Sequence, residues 1–162
     1  MKLTRLSLSL ATAACLLLGG CNYDAPATAA PTRPIEEKLL GDWVTVDPDD
    51  QQELALHVRQ LDPSTYAVAV DGDIYRAFHS DFAGLALLSV QDLNSSSRKY
   101  LFYTWRLSAD GNQLILRTVS FRVIPDMAKD TAALQRLLKE HAAEPKLLSE
   151  DLVFTRKPTA RH

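Results

Sequence analysis

Over most of the chain beyond residue 40, apolar and polar residues alternate with a period of two. Gly41-Asp42-Trp43-Val44-Thr45-Val46 is the first such run, and Ile35 to Leu40 before it spans about one helical turn. Asp47-Pro48-Asp49-Asp50 supplies a turn. Leu54, Leu56 and Val58, interleaved with Ala55, His57 and Arg59, then predict a strand with one dry and one wet face. Tyr66 to Val70 and Ile74 to Phe78 flank Asp71-Gly72, a dipeptide that favours a tight two-residue hairpin turn. Leu85 to Val90 continues the series and Asn94 to Ser97 breaks it. Lys99 to Leu107 and Gln113 to Val123, joined by Ala109-Asp110-Gly111-Asn112, predict the longest hairpin.

In that hairpin Leu101, Tyr103, Trp105 and Leu107 share one face while Tyr100 and Phe102 lie on the other, so the strand is expected to be buried on both sides. The cover comes after Asp130, a plausible cap, where Leu134, Leu137, Leu138 and His141 fall on one helical face. Leu152 to Arg156 gives a last strand beyond Pro145. Tight turns between short strands predict a mostly β domain: an antiparallel meander barrel or strongly curved sheet of about eight strands, with one late α-helix packed on it. A two-sheet sandwich is the competing architecture.

The first twenty residues follow a different pattern. Lys2 and Arg5 precede an apolar stretch from Leu6 to Leu18, and Gly19-Gly20 stand before Cys21. About 13 residues make roughly 20 Å of helix, short of a hydrocarbon core of roughly 30 Å, so a cleaved signal peptide is expected over 1–20. Leu18-Gly19-Gly20-Cys21 resembles the lipobox of bacterial lipoproteins. That resemblance implies signal-peptidase recognition through Leu18, Gly19 and Gly20, and lipid attachment at Cys21. By the same resemblance Asn22, where an Asp would favour inner-membrane retention, implies an outer membrane location facing the periplasm. Two or three acyl chains make a lasting anchor where one gives only reversible binding. Residues 22–34 carry three prolines and four alanines and read as a flexible tether, so the domain is expected over 35–157 with a polar tail at 158–162.

Composition narrows the chemistry. With 46% hydrophobic and 23% charged residues the body has the means to form a core, which excludes disorder for most of it. Loss of Lys2 and Arg5 would take the formal net charge below −2, and the chain's basic residues nowhere form a stripe, which argues against nucleic acid as a partner. Cys15 would leave with the signal peptide, so the mature chain would have no internal disulfide. His57, His79, His141 and His162 are isolated from one another, and Asp47, Asp49 and Asp50 lack the Gly and Glu of a calcium loop; neither a metal nor another cofactor is expected. Phe78-His79-Ser80-Asp81 holds the residue types of a triad, but sequence neighbours rarely form one.

Gly41-Asp42-Trp43 at the start of the first strand, after a helical turn and before a meander, resembles the layout of lipocalins and related calycin barrels, and of small bacterial lipoproteins of that kind. The resemblance implies a Trp43/Arg156 pair across a closed barrel end, although the family's other motifs are not visible. Read from the residues alone, Trp43 is expected first as a plain core residue. The leading expectation is a non-enzymatic binding module for an apolar small molecule or an envelope partner, with Tyr66, Tyr103, Trp105 and Phe121 as candidate ligand contacts. A helix that simply fills the core is the simpler alternative to a ligand cavity. A structural or accessory docking protein is the second functional expectation and a hydrolase the third.

Overall fold

A computed structural model describes residues 23–46, 51–125 and 128–158. Eight strands form an up-and-down meander that closes on itself: β1 (Gly41–Val46), β2 (Glu53–Asp62), β3 (Thr65–Val70), β4 (Asp73–His79), β5 (Leu87–Asp92), β6 (Tyr100–Leu107), β7 (Gln113–Thr118) and β8 (Leu152–Arg156). Every neighbouring pair is antiparallel. β8 closes the barrel by pairing with β1 at Trp43↔Arg156 and Val44↔Thr155. A sandwich is thereby excluded.

Turn chemistry sets the registers. Asp71 and Gly72 both have positive φ, +55° and +92°, the backbone of a primed two-residue turn whose twist matches that of the flanking strands. Between β6 and β7, the Asp110 carboxylate accepts from the Asn112 N–H at 3.1 Å and the Ser108 hydroxyl at 2.5 Å. These donors hold its carboxyl down at about 2.

Strand parity sorts the apolar residues into two cores. Inward-facing Leu56, Val58, Tyr66, Ala77, Leu101, Tyr103, Leu114 and Phe154 form one inside the barrel, with Trp43 and Leu39 at one end. Outward-facing Phe78, Leu87, Tyr100 and Phe102 form the other, beneath helix α1 (Thr131–His141), which contributes Leu134 and Leu138. Helix α1 therefore covers the outside wall and does not plug the barrel. Asp130 caps it, accepting from the Ala133 N–H at 2.8 Å. Elsewhere the outer wall is polar: Asp42 on β1 pairs with His57 and Arg59 on β2.

Two boundaries differ from the sequence reading. β7 ends at Thr118; Val119 then bridges to Leu148, and residues 121–123 turn away. The larger correction concerns 23–34, which is no free tether. Tyr23 is 1% and Ala27 0% exposed. Tyr23 exchanges both backbone hydrogen bonds with Tyr100, and its hydroxyl donates to the Ile124 carbonyl at 2.6 Å. Further along, the Ala27 N–H donates to Ser89 Oγ, the Thr32 N–H to the His79 carbonyl, and Arg33 pairs with Asp81. Prolines and alanines need no side-chain pocket to lie flat on a wall, and backbone donors that find partners there replace their bonds to water. This strap runs the length of the barrel, from the first residue of β6 to the 3-10 turn at Glu37–Leu39.

Candidate functional site

The barrel has two unlike ends. One holds the start of β1, the β2–β3 and β6–β7 turns and the strap's last residues, and it is closed. Trp43, fully buried, donates from its indole nitrogen to the Leu39 carbonyl at 3.0 Å, and the Arg156 guanidinium lies 4.0 Å from the centre of its ring. Arg156 also donates to the carbonyls of Leu40 (2.8 Å), Lys38 (2.6 Å) and Gly111 (3.2 Å), tying the strap, β8 and the β6–β7 turn together. This geometry explains the glycine of Gly41-Asp42-Trp43. Its φ is +136°, and a Cβ there would sit 2.6 Å from Arg156 Nη1.

Above this plug lies a buried polar pair. His79 is 0% exposed and its Nε2 is 2.7 Å from the Tyr66 hydroxyl oxygen, which accepts from the Glu36 N–H at 2.6 Å. The phenol oxygen can accept a second hydrogen bond or donate its own, so Nε2 is bonded to Tyr66 whichever ring nitrogen carries the imidazole hydrogen. Burial, reinforced by the positive charge of Arg33, pushes the His79 pKa down to about 4, so the ring is neutral near pH 7. Neither His79 Nδ1 nor Trp105 Nε1 has a hydrogen-bond partner among the described residues, although the two rings are 5.6 Å apart.

Toward the other end the interior is not filled. A cavity of about 210 Å³ lies among Leu54, Leu56, Val68, Val70, Ala77, Leu88, Val90, Leu101, Leu114, Leu116 and Phe154, with Tyr66 and Tyr103 on its walls and Asp71, Asp73 and Tyr75 at its mouth. Part of its wall is made of small and medium side chains, Val68 and Val70 on β3, Ala77 on β4 and Val90 on β5, which leave room between the larger Tyr66 and Tyr75. Burial raises the Tyr103 hydroxyl's pKa, and nearby Tyr75 adds to the effect, so it serves as a neutral hydrogen-bonding group.

Of the four aromatic candidates, Tyr66 and Tyr103 line this cavity. Trp105 faces the interior nearer the closed end, packed against His79. Phe121 does not belong with them. It lies in the turn beyond β7, 45% exposed, with the Arg122 guanidinium 6.0 Å from its ring. Leu18, Gly19, Gly20 and Cys21, and Asp47, Asp49 and Asp50, lie outside the described residues.

His79, Ser80 and Asp81 do not converge. Strand alternation sends His79 inward to Tyr66, whereas the Ser80 hydroxyl turns outward to Thr28 and Ser89, 2.8 Å from each, and Asp81 binds Arg33. Among the described residues no three His, Cys, Asp or Glu side chains are grouped to hold a metal ion, and no helix is long and apolar enough to cross a membrane. Sequence reasoning missed Asp71, Asp73, Val68 and Ala77 as cavity residues; the turn signal at Asp71-Gly72 marked their place, but only closure of the barrel makes them a mouth and a wall. The chain matches no known family model, no curated protein and no solved structure.

Proposed function

We propose that this chain is a lipid-anchored envelope protein whose barrel takes up a small apolar molecule, without catalysis. The observation that carries the reading is the 210 Å³ interior cavity walled mainly by aliphatic and aromatic side chains. A dry cavity of about 150 Å³ accommodates benzene, so this one suits a body of about eight to ten non-hydrogen atoms, and a longer chain would project past the mouth. Asp71 and Asp73 at the rim repel a carboxylate head and favour a neutral or cationic one. The lipobox resemblance at Leu18-Gly19-Gly20-Cys21 supports the anchor, and Asn22 supports an outer membrane location facing the periplasm.

A docking role in an envelope assembly draws less support. Each strand is paired on both sides, so strand addition has no open edge to use. A hydrolase draws none from the His79-Ser80-Asp81 segment, whose side chains point apart.

The test uses the domain without its lipid, titrated with butylbenzene and followed by the NMR shifts of the cavity methyl groups. Saturable shifts at Leu88, Leu101 and Leu114 are expected, together with their loss in Ala77→Leu, which fills the cavity from its wall. Equal binding by Ala77→Leu, or no binding by a folded native domain, would refute the reading.

A further inference from the structure

The strap's direction says where an anchor would sit. Its first described residue, Tyr23, is bridged to Tyr100, the first residue of β6, and this is the mouth end of the barrel. From there the strap descends to Glu37–Leu39 at the closed end. Tyr23 is held on both sides of its backbone, its ring is 4.8 Å from that of Phe102, and Asp24 is paired with Lys99 and Lys129. Cys21 is two residues earlier. By covalent geometry its Cα lies within about 7 Å of Tyr23's, so a lipid on Cys21 would be rooted beside the rim with no slack between.

Of the five exposed large apolar side chains among the described residues, three stand at this end, while Val153 lies on the wall of β8 and Leu61 at the closed end. Ile74 (53% exposed) is the second residue of β4 and Val46 (51%) ends β1, both at the mouth, and Phe121 (45%) lies just beyond the mouth end of β7. Leu61 (57%) is the counterpart at the closed end. Beside the point where the chain leaves the barrel stands Arg122, a cation suited to lipid phosphates, together with Lys99 and Lys129, whose two charges share the single carboxylate of Asp24.

We propose that the barrel sits mouth-down on the membrane, its rim held against the lipid headgroups by the anchor on Cys21, so that the cavity exchanges its ligand with the bilayer. This rests on the lipid-anchor reading above. It makes the ligand a membrane-dissolved molecule, with its apolar body in the cavity and its polar end at the level of Asp71 and Asp73. A strap welded to the wall is essential to the idea: a free tether would leave the domain to tumble in water.

The experiment uses the full chain, processed in cells and reconstituted into vesicles of phosphatidylethanolamine and phosphatidylglycerol. Ile74→Cys and Leu61→Cys each introduce one labelling site, since lipidation blocks the Cys21 thiol. Each is labelled with a small fluorophore and quenched with nitroxide-headgroup lipids, and mass spectrometry of the N-terminal peptide is run on the same sample. The expected result is a lipidated Cys21 and quenching at Ile74 several-fold stronger than at Leu61. Insertion of twelve Gly/Ser residues between Asn22 and Tyr23 is expected to bring the two sites together. A lipidated Cys21 with equal quenching at the two sites, or stronger quenching at Leu61, overturns the orientation and leaves the anchor standing. An unmodified Cys21 overturns both.

Discussion

Lowering the pH from 7.5 to 5 should weaken the fold through His79. The ring is wholly buried, its Nε2 is occupied by the Tyr66 hydroxyl, and burial, then Arg33, keep its pKa at about 4 against an ordinary 6.5. In the unfolded chain the imidazole takes up a proton as pH falls through 6.5; in the folded chain it does not until about pH 4. The unfolded state therefore binds more protons across that window. Stability from this group is complete above pH 6.5, declines as pH falls toward 4, and levels off below. At about 1.4 kcal/mol per unit, the whole window is worth about 3 kcal/mol, and the portion down to pH 5 about 2 kcal/mol. Asp42, Asp62 and Asp110 act elsewhere: hydrogen-bonding partners lower their pKa values, so their contribution is present above the ordinary 3.8 and lost only as pH falls below it. Urea unfolding followed by Trp43 and Trp105 fluorescence at pH 7.5, 6 and 5 measures the effect. His79→Gln is the reference, because it keeps an acceptor for Tyr66 and cannot titrate. If the native protein loses no more stability between pH 7.5 and 5 than His79→Gln does, the assignment of a neutral buried imidazole is wrong.

Arg156→Ala should cost about 2–4 kcal/mol in chemical unfolding, because it uncovers Trp43 and strips donors from the Leu40 and Lys38 carbonyls; Arg156→Lys should recover only part, since one ammonium cannot reach three carbonyls while stacking on a ring. Tyr23→Ala should cost about 3–5 kcal/mol, and limited proteolysis should then cut within residues 24–34, which resist cleavage in the native protein. Tyr23→Phe, which removes the bond to the Ile124 carbonyl, should cost about 1–3 kcal/mol in the same unfolding assay. Asp130→Ala should lower stability by about 1 kcal/mol by thermal unfolding, with the barrel's near-ultraviolet circular dichroism unchanged.

Period-two alternation, Asp71-Gly72 and the capped amphipathic run after Asp130 act over a few residues, and they determined the strands, the hairpins and helix α1. The two-faced burial of β6 was likewise written in its sequence: Leu101, Tyr103 and Trp105 face the barrel interior, and Tyr100 and Phe102 the outer core. Local patterns do not reach far enough to fix the rest. The strap has no periodicity, because Tyr23 and Ala27 are held by Tyr100, Ile124 and Ser89, dozens of residues away, and apart from the Tyr23 hydroxyl the strap's groups in these bonds are backbone groups that any residue carries. Phe121 reads from the sequence as a ligand contact on a strand reaching Val123, but where β7 ends is set by a bridge from Val119 to Leu148. The cavity is a difference between the volume enclosed by eight paired strands and the volume of the side chains turned inward. Each residue's contribution can be read from the sequence, but the enclosed volume comes into being only when β8 pairs with β1.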